Sequence, residues 1–298
     1  MNVEQQFQHA MHASGIQSAA QVVADGKLHR FHIEGDRPGT KNGWAVLHPG
    51  THPAGAYGSN KTGTSAKWRA AGASAPITNS ARAAMDAQRA AHQQAAEARQ
   101  QQTATTAARY VASLPTANPA HPYLVKKGVR PHGILQSGDL LVIPISDVSG
   151  TITSYQTINC EGEKRFAFGG KITGGFFVIG DPVTSHSTHA VLTEGFGTGA
   201  TLRECGGAVG STVVVGFNAG NLLSVAKAIR AAFPALEMAI AADWDGAPAG
   251  GIGVEKATQA ANSVGAELWV PLIPDGMNAG KADFNDIAIW QQQQRRVA

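Results

Sequence analysis

From residue 190 onward the chain alternates between short apolar runs and longer stretches whose apolar positions recur at helical spacing. Residues 190–193, 212–216, 238–242 and 267–271 read as buried strands. Between and after them, 197–205, 219–233, 251–264 and 284–294 read as helices; the second places Leu222, Val225, Ala226 and Ile229 on one face. Strands this short and apolar, separated by helices, predict an α/β architecture: a doubly wound, mostly parallel sheet with helices on both faces.

Upstream the period changes. Residues 140–145 form an apolar run, the turn Asp147–Gly150 follows, and 151–158 alternate as a partner strand. Residues 165–168 and 174–179 read as a third and a fourth strand of the same hairpin sheet, and His121–Gly128 as a short helix ended by glycine. Residues 79–102 are almost entirely Ala, Gln, Arg and Glu, which predicts a long exposed helix, capped by Thr78 or Asn79, that serves as a spacer. An Ala-only seam packs poorly, so a coiled coil is the weaker alternative. Residues 1–75 carry a helical pattern over 5–15, then extended pieces at 28–34, 43–48 and 56–57, with Trp44 and Trp68 as core or surface anchors of a small sheet. The expected organisation is a small N-terminal α+β domain (1–75), a helical linker (76–113), an α+β lobe (114–182) and the parallel sheet (183–298).

Composition narrows the function classes. Of 298 residues 43% are hydrophobic, ample for a core, and the net charge of +3 permits a nucleic-acid partner without demanding one. The two cysteines, Cys160 and Cys205, form no Cys-x-x-Cys pair, which excludes a cysteine zinc ribbon; two buried thiols are expected. His29, His32, His48 and His52 lack the spacing of a zinc site and read as ordinary strand and loop residues. No apolar run reaches membrane-helix length and the N-terminus is polar, so a soluble, cytoplasmic protein is expected. No Gly-x-x-x-x-Gly-Lys-Ser/Thr motif is present, which argues against a fused helicase.

The chemistry gathers at the strand ends. Glu194 follows the first parallel strand and Asn218 the second; Asp243 and Asp245 follow the third. Ligands of such sheets bind at the carboxyl ends of the strands. Clustered carboxylates repel one another unless a cation neutralises them, and an oxygen-only set favours Mg²⁺ or Mn²⁺. Asp283 and Asp286 can join that set or simply cap the last helix. Gly195, Gly197 and Gly199 allow phosphate oxygens to approach backbone N–H groups at a helix start. Together these features suit phosphoryl or nucleotidyl transfer, with Glu194 as general base or further ligand.

Glu194-Gly195 followed, one strand-helix unit later, by Asp243-x-Asp245 resembles the Toprim domain of bacterial-type primases, topoisomerases and some nucleases. Glu194–Leu202, Val215–Leu222, Asp283-Phe-Asn-Asp286, His121–Leu124 with Lys127-Gly128, and the stretch 143–180 with Gly162–Phe166 are more closely similar to primases of plasmids, phages and integrative elements, conjugative plasmid-transfer primases among them. The resemblance spans about 116–290. It implies Glu194 as the catalytic glutamate, Asp243 and Asp245 as the metal-binding pair, and Asp283 and Asp286 as lesser acidic contributors, with Mg²⁺ or Mn²⁺ as cofactor. Residues 116–180 would be the basic lobe that grips template and nucleotide, through Lys164, Arg165 and Lys171, and secondarily Lys126, Lys127 and Arg130. Implied partners are single-stranded DNA, ribonucleoside triphosphates, and a replicative helicase or single-stranded-DNA-binding protein. The expected activity is RNA primer synthesis on single-stranded DNA; residues 1–75 would then be a cysteine-free candidate for template recognition.

Two rivals stay open at this stage. One is a Toprim nuclease; a topoisomerase is disfavoured because Tyr57, Tyr110, Tyr123 and Tyr155 sit in no convincing strand-passage setting. The other is a catalytically inert module that binds single-stranded DNA, against which the retained acids argue.

Overall fold

The computed structural model describes residues 2–50, 52–70, 79–246, 251–277 and 280–297. The chain divides into two compact units, Met1–Ala87 and Gln88–Ala298.

The first unit packs helix α1 (Val3–Ala13) on one face of an antiparallel sheet of β1 (His29–Phe31), β2 (Gly43–His48), β3 (Ala54–Ser59) and β4 (Ser65–Arg69), in the order β1-β2-β3-β4. α1 starts at Asn2, which closes a capping box with Gln5. Its Phe7 and Met11 are buried against Phe31, Ala45, Leu47 and Tyr57, and Phe7 meets Tyr57 and Trp68 edge-on at 5.3 Å each. β4 has no counterpart in the sequence reading, because Ser, Lys and Arg hold three of its five positions and hide its alternation. His29 pairs with Asp25 and His32 with the Thr40 carbonyl, both uses internal to the unit.

Helix α2 (Asn79–Ala112) is 34 residues long; Thr78, the other expected cap, lies outside the described residues. Its middle is exposed, as its composition dictates. Its C-terminal end departs from the spacer expectation: Ala107 and Val111 are buried, Tyr110 packs on Tyr155 with centroids 5.1 Å apart, and Thr103 donates to the Phe168 carbonyl. Single apolar residues four apart sufficed to anchor it.

After α3 (Pro122–Lys127), the strands β5 (Leu135–Ser137), β6 (Leu140–Ser146), β7 (Ile152–Ile158) and β8 (Lys164–Phe166) form an antiparallel sheet in sequence order. The expected fourth strand of this hairpin sheet belongs elsewhere. The chain bends at Gly174, touches Ser146 through a bridge at Phe176, and continues as β9 (Phe177–Ile179), the antiparallel edge of the second sheet. The reason is burial on both faces: Phe177 and Ile179 pack into one core cluster and Val178 into the other, as only a strand between two layers can.

That second sheet has the order β13-β12-β10-β11-β9. It is built from β10 (His189–Thr193), α4 (Phe196–Cys205), β11 (Thr212–Val215), α5 (Ala219–Ala232), β12 (Glu237–Ala241), α6 (Gly251–Val264), β13 (Glu267–Trp269) and α7 (Phe284–Val297), and β10 to β13 run parallel. Ala190, Leu192, Val214, Met238 and Ile240 face α5 and α6, whereas Val191, Val213, Val215, Ala239 and Ala241 face α4. The latter cluster also takes in Leu124, Ile134, Leu141, Ile143, Ile145 and Ile158, so the hairpin sheet and the parallel sheet share one core. Asn221, on α5, joins them: its amide donates to the carbonyls of Gly175 and Gly216 and accepts from the Gly174 N–H, all at 2.8–2.9 Å. Asn221→Ala leaves three backbone groups without partners and is expected to cost about 3 kcal/mol, measured as a lower denaturant midpoint; an unshifted midpoint would mean the 174–175 turn is held by other contacts.

The cysteines are free, as expected, but not buried: Cys160 is partly exposed and Cys205 exposed. Cys205 ends α4, where the chain turns outward. Among the described residues no helix is long and apolar enough to cross a membrane.

Candidate active site

Pairing of Thr193 with both Val215 and Ala241 sets the ends of β10, β11 and β12 level. Glu194 and Asp243 therefore emerge side by side from adjacent strands. Between β11 and α5 the chain passes through Phe217, whose φ of 73° is left-handed, an uncommon conformation for a bulky residue. That twist lets the Asn218 side chain cap α5 by accepting from the Asn221 N–H and turns the Ala219 N–H toward Glu194. The helix start thus supplies a donor to the glutamate.

Glu194 nevertheless sits above the usual carboxylate range. Burial raises it and the charge of Asp245 adds to this, while the Ala219 N–H and Lys164 pull it down. Asp243 is shifted further, to about 7, first by burial and then by the charges of Glu194 and Asp283. Its Oδ1 is buried with no hydrogen-bond partner. Asp245 differs: burial raises it, but a 2.8 Å ion pair with Lys281 and the Gly253 N–H at 2.9 Å outweigh burial and hold it low.

Lys281 reaches the site because residues 244 and 282 form an antiparallel bridge, each N–H donating to the other's carbonyl at 2.9–3.0 Å. The approach is close enough that a Cβ on Gly246 (φ 80°) would lie 1.8 Å from the Gly280 carbonyl oxygen, so only glycine fits. The bridge also carries Asp283 toward Asp243. Asp283 and Asp286 cap α7 reciprocally, Asp286 N–H to Asp283 Oδ1 at 2.8 Å and Asp283 N–H to Asp286 Oδ2 at 3.2 Å. Lys127 lies against both, at 3.9 and 3.4 Å. Nearby Tyr123 is pushed up to about 12 by burial and the charge of Asp283.

The basic residues separate into groups. Lys164, on β8, acts electrostatically on Glu194 and Asp243, and its Nζ would lie 3.5 Å from a Cβ at Gly195. β8 is held there by Phe166, whose ring meets Phe217 edge-on at 6.1 Å. Arg165 points to solvent beside Glu163, and Lys171 faces Asp147. Lys127 is engaged by the α7 acids and Arg130 by Glu204. Gly195 is the N-cap of α4 and offers no side-chain cap, so the first N–H groups of that helix stay open. A Cβ at Gly197 would stand 3.3 Å from the Tyr123 hydroxyl, and one at Gly199 2.9 Å from Thr193 Oγ1, so Gly199 serves helix-to-strand packing.

Among the described residues no three His, Cys, Asp or Glu side chains stand ready-made around one metal position. The donor set still fits a hard cation: all oxygens, mutually repelling, with the buried Asp243 Oδ1 unpartnered and lysines 164 and 281 beside its neighbours. Sequence reading missed Lys281, Phe217 and Asn221. Lys281 had a signal, two residues before Asp283; the left-handed turn at Phe217 had none.

A parallel sheet with a glutamate after one strand and Asp-x-Asp after its neighbour is a distinctive arrangement, and residues 189–293 match the Toprim domain family. Toprim primases are metal-dependent. Over 267 residues, 86% of this chain, the sequence is 36% identical to DNA primase TraC of Escherichia coli. A second Escherichia coli DNA primase TraC is 33% identical over 299 aligned positions, 95% of the chain. The chain spans 25% and 20% of the length of these two homologues. The primase fragment of the bacteriophage T7 primase-helicase protein superposes with a TM-score of 0.41 at 17% identity, covering 61% of this chain and 72% of that one.

Proposed function

We propose that the chain is the primer-synthesising part of a mobile-element DNA primase, joining ribonucleotides on a single-stranded DNA template. The observation that carries this reading is the pairing of a buried, unpartnered Asp243 Oδ1 with Glu194 at level strand ends, with Lys164 brought against them from the hairpin sheet. Asp243 and Asp245 would hold Mg²⁺ or Mn²⁺ beside Glu194, with Asp283 and Asp286 as outer acids. When bound, the cation polarises the phosphate and offsets charge on the departing pyrophosphate.

The chain's own groups do the remainder. Glu194, raised by burial, takes the proton of the attacking hydroxyl. The open N–H groups at Gly195–Gly197 receive phosphate oxygens, and Lys164 neutralises charge beside them. Arg165 and Lys171, exposed on the hairpin sheet, line the template path; Lys127 and Arg130 act there only by leaving their ion pairs. Asn218 contributes by fixing the start of α5. Residues 114–182 grip the template and 183–298 carry the chemistry. A replicative helicase or a single-stranded-DNA-binding protein would deliver the template.

The test is incubation of the chain with a mixed-sequence single-stranded template and labelled ribonucleotides, with Mg²⁺, Mn²⁺ or chelator. Short labelled products that depend on the metal are expected. Metal-dependent cutting of the DNA without incorporation would replace this reading by a nuclease. DNA binding that survives chelation, with neither reaction, would leave an inert binding module.

A further inference from the structure

The first unit carries a second surface that the site at the strand ends does not use. α1 and the segment after it cover only one face of its four-stranded sheet, the face of Phe31, Ala45, Leu47 and Tyr57. The strand registers define what lies on the other. One row across the sheet reads Arg30, Trp44, Gly58, Ser65; the next reads Val46, Ala56, Lys67; the third reads His48, Ala54, Arg69. Residues paired across antiparallel strands share a face, so these rows form one continuous surface.

Three properties of that surface point to a ligand. One end of it carries a half-buried aromatic ring laid over bare backbone. Trp44 lies against Gly58, where a Cβ would stand 2.7 Å from the indole, and Ala54 and Ala56 add no bulk along β3. Its borders are cationic: Arg30 on one edge strand, Lys67 and Arg69 on the other, all three exposed and none in an ion pair or side-chain hydrogen bond among the described residues. None of the outward strand positions is acidic, and the nearby acids Asp25 and Asp36 are occupied by His29 and Lys61. Adjacent strands are about 4.8 Å apart, so the two cationic edges flank the indole across roughly 14 Å.

We propose that this open face binds single-stranded DNA, with a base stacked on Trp44 and the flanking phosphates on Arg30, Lys67 and Arg69. A ring set in a flat face between cations serves unstacked bases. The bases of a duplex are stacked on one another and present no face to it, whereas a single strand can lay one down. Every base has a face to stack, so the expected preference is for strandedness over sequence. This inference stands on the first unit alone and does not depend on whether the chain makes primers.

The test uses the full chain in chelated buffer without nucleotides, so that it reads binding and no catalysis. An oligothymidylate carrying 5-bromodeoxyuridine is photo-crosslinked to the protein, which is digested after Lys and Arg. The expected adduct lies on the peptide 42–61, at Trp44. In titrations with unmodified oligothymidylate, Trp44→Leu should weaken binding about tenfold and Trp44→Phe should retain most of the wild-type affinity. Lys67→Ser with Arg69→Ser, at exposed positions whose loss spares the fold, should flatten the dependence of log affinity on log salt by about 1.4. Crosslinks confined to residues 114–298 would overturn the proposal. So would unchanged affinity and salt slope in the Lys67/Arg69 variant, or equally good competition by a duplex of the same length.

Discussion

Asparagine at position 243 is expected to silence nucleotide incorporation and, in chelated buffer, to make the protein more stable. Both effects follow from the same buried oxygen. The Asp243 carboxyl is pushed up to about 7 in the folded chain, from an ordinary value of 3.8. The native state therefore keeps a proton that the unfolded chain has already released. Stability must fall as pH rises from about 4 to about 7 and level off above, and over that interval the loss is at most about 4 kcal/mol. Asp243→Asn removes the charge that burial, Glu194 and Asp283 oppose, so this part of the pH dependence disappears. In chelator at mildly alkaline pH the melting temperature should rise by several degrees, at most about 10 °C. The neutral amide cannot hold a divalent cation as the carboxylate does, so incorporation should drop to background. Calorimetry across this pH range, run beside the incorporation assay, checks both halves; a variant that melts no higher, or that still incorporates, contradicts the account of the site.

Glu194→Gln should be nearly as damaging to the rate, at little cost to the fold. The glutamine carbonyl can still accept from the Ala219 N–H that holds Glu194 in place. What it cannot do is take a proton, and loss of a positioned base typically costs about a hundredfold to ten-thousandfold. The expected result is a slow enzyme with intact DNA binding and nearly unchanged dependence on nucleotide concentration. A rate within a few-fold of wild type would remove Glu194 from the role of base.

The fold of the second unit was largely legible in the sequence, and the reasons are local. The four parallel strands were legible because each is a short apolar run with burial on both faces, and the helices between them because Leu222, Val225, Ala226 and Ile229 recur at helical spacing. The place of Glu194 and Asp243 at level strand ends was legible because each closely follows such an apolar run. What stayed hidden depends on contacts between distant segments. β9 looked like one more hairpin strand until its two-sided burial placed it in the other sheet. Lys281 reaches Asp245 through a bridge between residues 244 and 282 that no periodicity encodes. Lys127 read as a free cation because its partners, Asp283 and Asp286, lie more than 150 residues away along the chain. β4 was lost among its own polar residues, although it lends Lys67 and Arg69 to the open face of the first sheet.

The shared core of the two sheets in the second unit sets a condition on how any strand can move across it. Leu141, Ile143 and Ile158 belong to the same cluster as Val191 and Val213, and Phe166 leans on Phe217 at the end of β11. A hinge between the two sheets would have to tear that packing open at every cycle. If the strand ends do join nucleotides, these two sheets serve as one fixed track, and the cargo steps along it one unit at a time, released and regripped at its phosphates.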